Sequence, residues 1–320
     1  MAHNRVKESC SDQSVYYLVT NRIAGGRMLF KDQEKQKLKS LLFAGCTRFS
    51  YQVIDYVFMD NHFHLLIKIP ATNEMDKIEL LQRYRLHKKN EEVKFINSTQ
   101  REEFREKIHD ISFIIGNFEQ RFVQWFNKVH SSWGRLFGQR FDSEMIEVSA
   151  HSDSLLRVMA YISLNPVRAE IVSDPKDFHF CAYSDRLAGG DIGKSDHEFF
   201  DLFCRGIEAK DIRDKQKHFR QVFRAYMLGL RRYQSVDSQT LAEFFREVNL
   251  SEQLAWDDLF IHKCRFFTKC LVIGSEAFVR NKLTKFSAKM KWKRVHEPYT
   301  EDEWNDIYSL KPRRRQASAD

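Results

Sequence analysis

The chain has 320 residues, of which 42% are hydrophobic, with few glycines (12) and prolines (5). This composition excludes a disordered or linker-dominated protein and provides enough apolar side chains for a buried core. The 52 lysines and arginines outnumber the 44 aspartates and glutamates, giving a net charge of +8. This charge favours a polyanionic partner such as nucleic acid, although an ordinary basic soluble protein has the same balance.

The six cysteines include no pair with CxxC spacing. In a chain of this length the pattern favours reduced thiols over a disulfide framework. The first residues are polar, and no run of about 18 apolar residues occurs, so we expect neither a signal peptide nor a membrane span. The sequence therefore predicts a cytoplasmic protein, associated with the nucleoid if its partner is DNA.

The N-terminal part alternates strands with one helix. Aromatic and β-branched residues predict strands, and glycine or Asp-Asn pairs predict turns. Strands two and three are predicted to form a hairpin around Asp60-Asn61. In chain order, the predicted elements are a strand at 15–20, a turn at 21–27 with Gly25-Gly26, a helix at 32–44 capped by Asp32, and strands at 51–59 and 62–69.

The middle of the chain is predicted to add a charged segment, two helices and a strand. Residues 74–110 carry many charges of both signs and are interpreted as a solvated helical insertion. Apolar periodicity predicts a helix at 111–129, and a loop then leads to a strand within 136–148. A helix is predicted at 152–163, capped by Ser152 or Asp153 and ended by Asn165-Pro166, because proline disfavours helix in the preceding residue.

From residue 191 the pattern is helical throughout, and we place a domain boundary near Gly189-Gly190. The predicted domains are therefore residues 1–190, containing the candidate site, and residues 191–320, a basic helical region that is a candidate DNA-binding or accessory module. Its tail, with KFSAKMKWKRVHEPY and KPRRR, is strongly basic.

His62 and His64 are the first candidate site residues. Side chains at i and i+2 of a strand point to one face, so the two imidazoles lie side by side while Phe63 points to the other face. Two imidazoles on a rigid strand leave room for an oxygen ligand, water and phosphate oxygens around Mg²⁺ or Mn²⁺. An HxH pair alone is a weak signal, and an incidental or structural pair is the alternative.

Tyr161 and Asn165 form the second signal. They share a helix face if the helix continues to Asn165, which would then offer an oxygen ligand beside the tyrosine. A free phenol hydroxyl is a weak nucleophile and needs a metal, a base or an aligned substrate to attack phosphorus. The alternative is that Tyr161 is a half-buried helix residue and Asn165 belongs to a C-terminal turn.

A third signal is the basic and aromatic stretch from Trp125 to Phe141. Arg135 and Arg140 are candidates for phosphate binding, and Trp133, Phe137 and Phe141 are candidates for stacking on unpaired bases. The alternative for the aromatic residues is a core helix followed by a packed loop.

Together these segments resemble the single-tyrosine HUH transposases, most closely the REP-associated tyrosine transposases. The resemblance spans about residues 15–190 and extends weakly to VIGSEAFVRNKL at 272–283. The stretches that carry it are YYLVTNRIAGGRMLF, VIDYVFMDNHFHLLIKIP, FNKVHSSWGRLFGQRF and YISLNPVRAEIV.

The resemblance implies an α+β fold with a ferredoxin-like antiparallel sheet, and cleavage of single-stranded DNA at hairpin-associated sites through a 5′-phosphotyrosine intermediate. It implies His62, His64 and Asn165 as metal ligands and Tyr161 as the nucleophile. It places DNA-binding residues in the turn NRIAGGR and beyond; these are Asn21, Arg22, Arg27, Arg135, Arg140 and Arg168. Relatives act as monomers or homodimers.

Two other functions remain open on the residues. One is a domesticated DNA-binding regulator of repeat elements without turnover, which the basic C-terminal region also fits. The other is a metal-dependent hydrolase of another fold that uses His62 and His64 with carboxylates, although it explains neither Tyr161 nor the basic charge.

Overall fold

A computed structural model describes residues 13–71, 75–149, 151–230, 237–250, 255–262, 267, 270–290, 298–300 and 307–310. The chain divides into two compact units, Met1–Ser143 and Glu144–Asp320. The boundary predicted near Gly189-Gly190 therefore lies inside the second unit. The basic segments at 291–297 and 311–320 lie outside the described residues.

Three strands pair antiparallel in the described part of the first unit. They are β1 (Val15–Arg22), β2 (Gln52–Phe58) and β3 (His62–Ile69). β3 is paired with both neighbours, as the predicted hairpin requires. Its side chains from Phe63 to Ile67 are buried, which explains why the strand is an almost unbroken apolar run.

Four α-helices lie among the described residues of the first unit. The long amphipathic helix turns its apolar stripe toward the sheet, so that Phe118 meets Phe63 with ring centroids 5.7 Å apart. Burying each such side chain contributes about 1.5–3 kcal/mol relative to leaving it exposed. The helices are α1 (Asp32–Arg48), α2 (Lys77–Lys88), α3 (Ser98–Ile108) and α4 (Ile111–Val129).

The cap predicted for α1 is wrong by one residue. Lys31 occupies the N-cap position, and Asp32 is the first helical residue. The Glu34 carboxylate, three residues into the helix, accepts a hydrogen bond from the Lys31 backbone N–H at 2.9 Å. A glutamate at this position can satisfy the cap backbone without a capping side chain at the start.

The second unit contains most of β4 (Asp142–Ile146) and a mainly helical remainder. β4 pairs in parallel with β5 (Val272–Gly274), which pairs antiparallel with β6 (Tyr308–Leu310). The remaining elements are α5 (Ser154–Ser163), α6 (Asn165–Arg168), α7 (Ala182–Leu187), α8 (Asp196–Phe203), α9 (Ile212–Met227), α10 (Ser238–Leu250), α11 (Asp258–His262) and α12 (Glu276–Met290).

The predicted α+β class with a helical C-terminal region is confirmed, with two corrections. Residues beyond 191 are not helical throughout, because β5 and β6 add strands to β4. The helix that carries Tyr161 ends at Ser163 as predicted, but a second short helix, α6, follows from Asn165. Pro166 lies in the first turn of α6, where its missing N–H removes no hydrogen bond.

No helix in the described part of the chain combines the length and the apolar character needed to cross a membrane.

Candidate active site

His62 and His64 lie side by side on β3, as the alternation of a strand predicts. Their ring centroids are 5.2 Å apart and their planes are nearly perpendicular. His64 is 3% exposed, whereas His62 is half-buried. The pair therefore presents one ring at the surface and one below it, both held by the central strand of the sheet.

The side chain of Asn61 determines which nitrogen of His62 carries the proton. The Asn61 amide Nδ2 donates to the Gly26 carbonyl at 3.0 Å, which turns its Oδ1 toward His62 Nδ1 at 2.6 Å. Because an amide oxygen only accepts, Nδ1 must donate the hydrogen bond. In the neutral ring the lone pair then lies on Nε2, the atom suited to bind a metal.

His64 is oriented in the same way by the neighbouring strand. Its Nδ1 lies 2.9 Å from the hydroxyl oxygen of Thr20, the residue paired with His64 in the antiparallel register of β1 and β3. A hydroxyl can donate or accept, so it allows the Nδ1-protonated tautomer. Both histidines thus have the second hydrogen bond that metal-binding imidazoles usually make.

The imidazole nitrogens of His62 and His64 can supply two of the ligands of a divalent cation. Within the described residues, no group of three or more His, Cys, Asp or Glu side chains is arranged to hold a metal ion. Imidazoles supply two nitrogens, so the remaining ligands would have to be an amide, water or phosphate oxygens. Such a site suits Mn²⁺, and Mg²⁺ if phosphate takes part.

Tyr161, in the second unit, lies on the last turn of α5 and is 2% exposed. Its ring is covered by two side chains of the same unit. The Phe267 ring centroid lies 5.1 Å away, and the Arg168 guanidinium carbon lies 4.9 Å from the tyrosine ring centroid. Any reaction of the hydroxyl with DNA therefore requires these neighbours to move or the DNA to reach beneath them.

Asn165 and Arg168 contact each other on α6, the short helix that follows the helix of Tyr161. The Asn165 amide donates to the Tyr161 backbone carbonyl at 3.1 Å, and its Oδ1 accepts from Arg168 Nη2 at 2.6 Å. The oxygen predicted to bind a metal is thus occupied by a guanidinium here. Arg168 Nη1 is buried without a hydrogen-bond partner among the described residues.

The loop after α4 presents two cations and one aromatic ring to solvent. Arg135 and Arg140 are exposed, and Trp133 is 90% exposed. Phe137 and Phe141 are buried, so the packed-loop alternative holds for these two rings. The two arginines also line a cavity of about 430 Å³ beside α4. This arrangement can bind phosphates and stack a base.

The three predicted DNA-binding residues around the first turn differ in their surroundings. Asn21 is 3% exposed, and its amide donates to the Glu119 carboxylate at 2.6 Å and to the Gln139 carbonyl at 3.3 Å. Arg22 and Arg27 are exposed on either side of a turn in which Gly25 and Gly26 have positive φ. Asn21 thus fastens α4 and the arginine loop to β1, while the two arginines face solvent.

Comparison with known proteins gives one family match. Residues 12–104 match the model of the family described as "Transposase IS200 like". This N-terminal segment is transposase-like. The resemblance noted in the sequence is confirmed over this segment, which contains β1, β2 and the histidine pair on β3. The match ends before the YISLNPVRA segment that contains Tyr161.

A solved structure titled "Structure of the REP associates tyrosine transposase bound to a REP hairpin" is also similar to the chain. It is 13% identical, covers 59% of this chain and 86% of its own, and gives a TM-score of 0.36. No curated protein matches the chain.

Sequence reasoning misses two residues of the candidate site, Asn61 and Thr20. The sequence pattern indicates Asn61 only as a turn residue, although its place directly before His62 lets its side chain reach that ring. Thr20 can be connected to His64 only through the strand register, which joins residues 44 positions apart.

Proposed function

We propose that the chain is a metal-dependent endonuclease and strand transferase that acts on single-stranded DNA at hairpin-associated sites. The observation that carries the proposal is the histidine pair, with the lone pair of His62 on Nε2, inside a segment that matches IS200-like transposases. Tyr161 in the YISLNPVRA motif is the proposed nucleophile, and the DNA backbone is the proposed substrate.

His62 and His64 would hold Mg²⁺ or Mn²⁺, with Asn165 as the proposed third protein ligand. A bound cation would draw charge from a non-bridging oxygen of the scissile phosphate. For Asn165 to take part, its Oδ1 must exchange the Arg168 guanidinium for the cation. Arg168 would then be released to bind the phosphate, and its Nη1 already lacks a hydrogen-bond partner among the described residues.

The covalent step is an in-line substitution at phosphorus. The Tyr161 hydroxyl oxygen forms a bond to phosphorus as the bond to the 3′ oxygen breaks, and the phenol proton is transferred so that the leaving strand ends in a 3′-OH. The product is a 5′-phosphotyrosine linkage. Attack by another 3′-OH on this linkage would reverse the exchange and rejoin DNA without ATP.

The first test uses a hairpin oligonucleotide from DNA beside this chain's own gene, labelled at its 3′ end, with Mn²⁺ present. We expect a labelled band at the mass of a protein–DNA adduct that survives SDS. Tyr161→Phe should form none, because it lacks only the attacking oxygen and keeps the ring beside Phe267. Tyr51→Phe is a matched control, since it removes another buried tyrosine hydroxyl, one that donates to the Leu42 carbonyl.

The same reaction in EDTA, and with His64→Ala, tests the metal. We expect the adduct to disappear while DNA binding is retained. Adduct formation by Tyr161→Phe would disprove the nucleophile, and full activity in EDTA would disprove the role of the cation.

The second candidate function is a DNA-binding regulator without turnover. The burial of Tyr161 under Phe267 and Arg168 favours it, because the hydroxyl of a residue only 2% exposed is poorly placed for attack. This alternative predicts that wild-type protein and Tyr161→Phe bind the hairpin equally and that neither forms an adduct with any divalent cation.

A further inference from the structure

A basic cavity lies in the second unit, apart from every residue assigned to the proposed reaction. It has a volume of about 560 Å³ and is lined by parts of α7, α9 and α10 and by the turn that contains Lys176. Its cationic side chains are Lys176, Lys217, Arg220 and Arg224. No carboxylate lines it among the described residues. Cavities of roughly 300–1,000 Å³ are typical of ligand sites.

Two of these cationic side chains, Arg220 and Arg224, form ion pairs with buried carboxylates. Arg224 contacts both oxygens of Asp174, at 2.8 and 3.3 Å, and Arg220 Nε lies 2.8 Å from Asp196. The two aspartates are 2% and 0% exposed, and neither lines the cavity. Asp196 also pairs with the buried Arg186. Four positive groups thus face the cavity, and the two paired carboxylates lie behind them.

The other two cations lie at the rim. Lys176 pairs loosely with Asp174 at 3.4 Å, and its side chain is 52% exposed. Lys217 is exposed, and no carboxylate pairs with it among the described residues. Lys217 and Arg224 are seven positions apart on α9, which places them on one face of the helix. An anion entering the cavity would meet the exposed lysines first and the fixed guanidinium groups below.

The remaining wall is apolar and partly aromatic. Phe245 of α10 is half-buried, and Leu187 of α7 is 45% exposed although it is a large hydrophobic side chain. A small inorganic anion bound to the cations would leave these apolar side chains exposed to water. A nucleotide would use both parts, because its phosphate pairs with the cations and its base covers the apolar side chains.

We propose that this cavity binds single-stranded DNA, taking a backbone phosphate on the cations of α9 and a base against Phe245 and Leu187. The proposal rests on the proposed function only for the identity of the polynucleotide as DNA. It adds a site in the second unit to the DNA contacts expected from the turn and loop arginines. The opposite face of α9 packs on α5, where Tyr226 donates to Asp153 at 2.9 Å, so bound DNA would be anchored to the helix that carries Tyr161.

The test measures binding of a fluorescent oligo(dT) to the full-length protein by anisotropy, in EDTA, over a series of salt concentrations. Lys217→Glu should weaken binding about five- to tenfold and reduce the slope of log K against log salt by roughly 0.7 for each phosphate that is no longer neutralised. The matched control is Lys210→Glu, the same charge change at an exposed lysine outside the cavity. It should leave affinity and slope close to those of the wild type.

Phe245→Ala distinguishes the contribution of the base to binding from that of the phosphate. It should weaken binding of oligo(dT) about fivefold, since a base no longer stacks on the aromatic ring, and leave the salt slope unchanged. An abasic oligomer of equal length should bind this variant and the wild type equally. Thermal unfolding of each variant checks that the fold is retained. Lys217→Glu, at an exposed position, provides the test even if Phe245→Ala unfolds.

Equal effects of Lys217→Glu and Lys210→Glu would overturn the proposal. A polyglutamate peptide that displaces oligo(dT) as well as unlabelled oligo(dT) does would also overturn it, because the site would then recognise acidic protein segments. Since the assay contains no divalent cation and measures no cleavage, it is independent of the nuclease test. Weaker binding by Lys217→Glu with no covalent adduct in the wild type would support the cavity and contradict the nuclease.

Discussion

At the residue scale, the orientation of one amide determines the chemistry available to His62. Asn61 is held by the Gly26 carbonyl, so it can only accept from His62 Nδ1. Without the Asn61 side chain, the His62 imidazole could adopt either neutral tautomer and could rotate. Hydrogen-bond partners of metal-binding imidazoles typically contribute roughly 10- to 100-fold to metal affinity.

We therefore expect Asn61→Ala to weaken Mn²⁺ binding by about tenfold or more, as measured by the decrease of the free Mn²⁺ electron paramagnetic resonance signal on titration. Asn90→Ala, at an exposed turn asparagine of the same unit, is the control and should bind as the wild type does. Unchanged affinity in Asn61→Ala would mean that the amide does not orient a ligand.

Asn21 tests whether a predicted DNA-binding residue is instead structural. Its buried amide connects β1 to Glu119 and Gln139. Asn21→Ala should lower the free energy of unfolding by about 1–3 kcal/mol, because it removes both hydrogen bonds donated by a buried amide. Urea unfolding measures this. The control Arg27→Ala, at an exposed position, should change stability by less than about 0.5 kcal/mol. Wild-type stability of Asn21→Ala combined with weaker DNA binding would instead make Asn21 a direct contact.

Only those features of the site that depend on neighbouring residues in the chain can be predicted from the sequence. Alternation along a strand is enough to place His62 and His64 on one face. The pairing of His64 with Thr20 depends on strand register, and the contact of Arg168 with Asn165 depends on how the chain turns at Leu164. Neither follows from residue type and spacing alone.

At the element scale, the elements with strong local signals are predicted best. α4 has the bounds that its apolar periodicity predicts, and β3 has its predicted bounds. β5 is missed, because three residues carry little strand signal and its pairing partner β4 lies about 125 positions earlier in the chain. Short strands that depend on such non-local pairing cannot be recognised from local patterns.

Within the first unit, α2 packs His87 into an aromatic cluster with Phe49, Phe104 and Phe113. Burial, together with Lys88, Arg121, Lys107 and Arg48, lowers the pKa of His87 below 6.5. The folded state therefore binds this proton less readily than the unfolded state does. The resulting stability is fully present above the unfolded pKa and is lost as the pH falls from there toward the folded pKa.

We expect urea unfolding midpoints to fall between about pH 7.5 and pH 5, and to fall less in His87→Phe, which keeps an aromatic ring but cannot be protonated. His109, whose pKa burial also lowers, accounts for part of the remaining dependence. The exposed His151→Gln is the control and should follow the wild type. An identical pH dependence in His87→Phe would contradict the assignment.

At the scale of the whole molecule, the proposed function draws on both compact units. The transposase family match covers residues 12–104 and includes the histidine pair. Tyr161, Arg168 and the basic cavity belong to the second unit, where the motif YISLNPVRA and the local contacts provide the support. The net charge of +8 is consistent with a polyanionic partner for either unit.

The most direct test of the central claim is to identify the amino acid that becomes attached to DNA. The adduct formed with a hairpin oligonucleotide and Mn²⁺ would be digested with nuclease and protease and sequenced by mass spectrometry. The proposed mechanism predicts a single modified peptide carrying a 5′-linked nucleotide on Tyr161, and none when EDTA is present. Attachment to any other residue, or an adduct that forms equally well in EDTA, would contradict it.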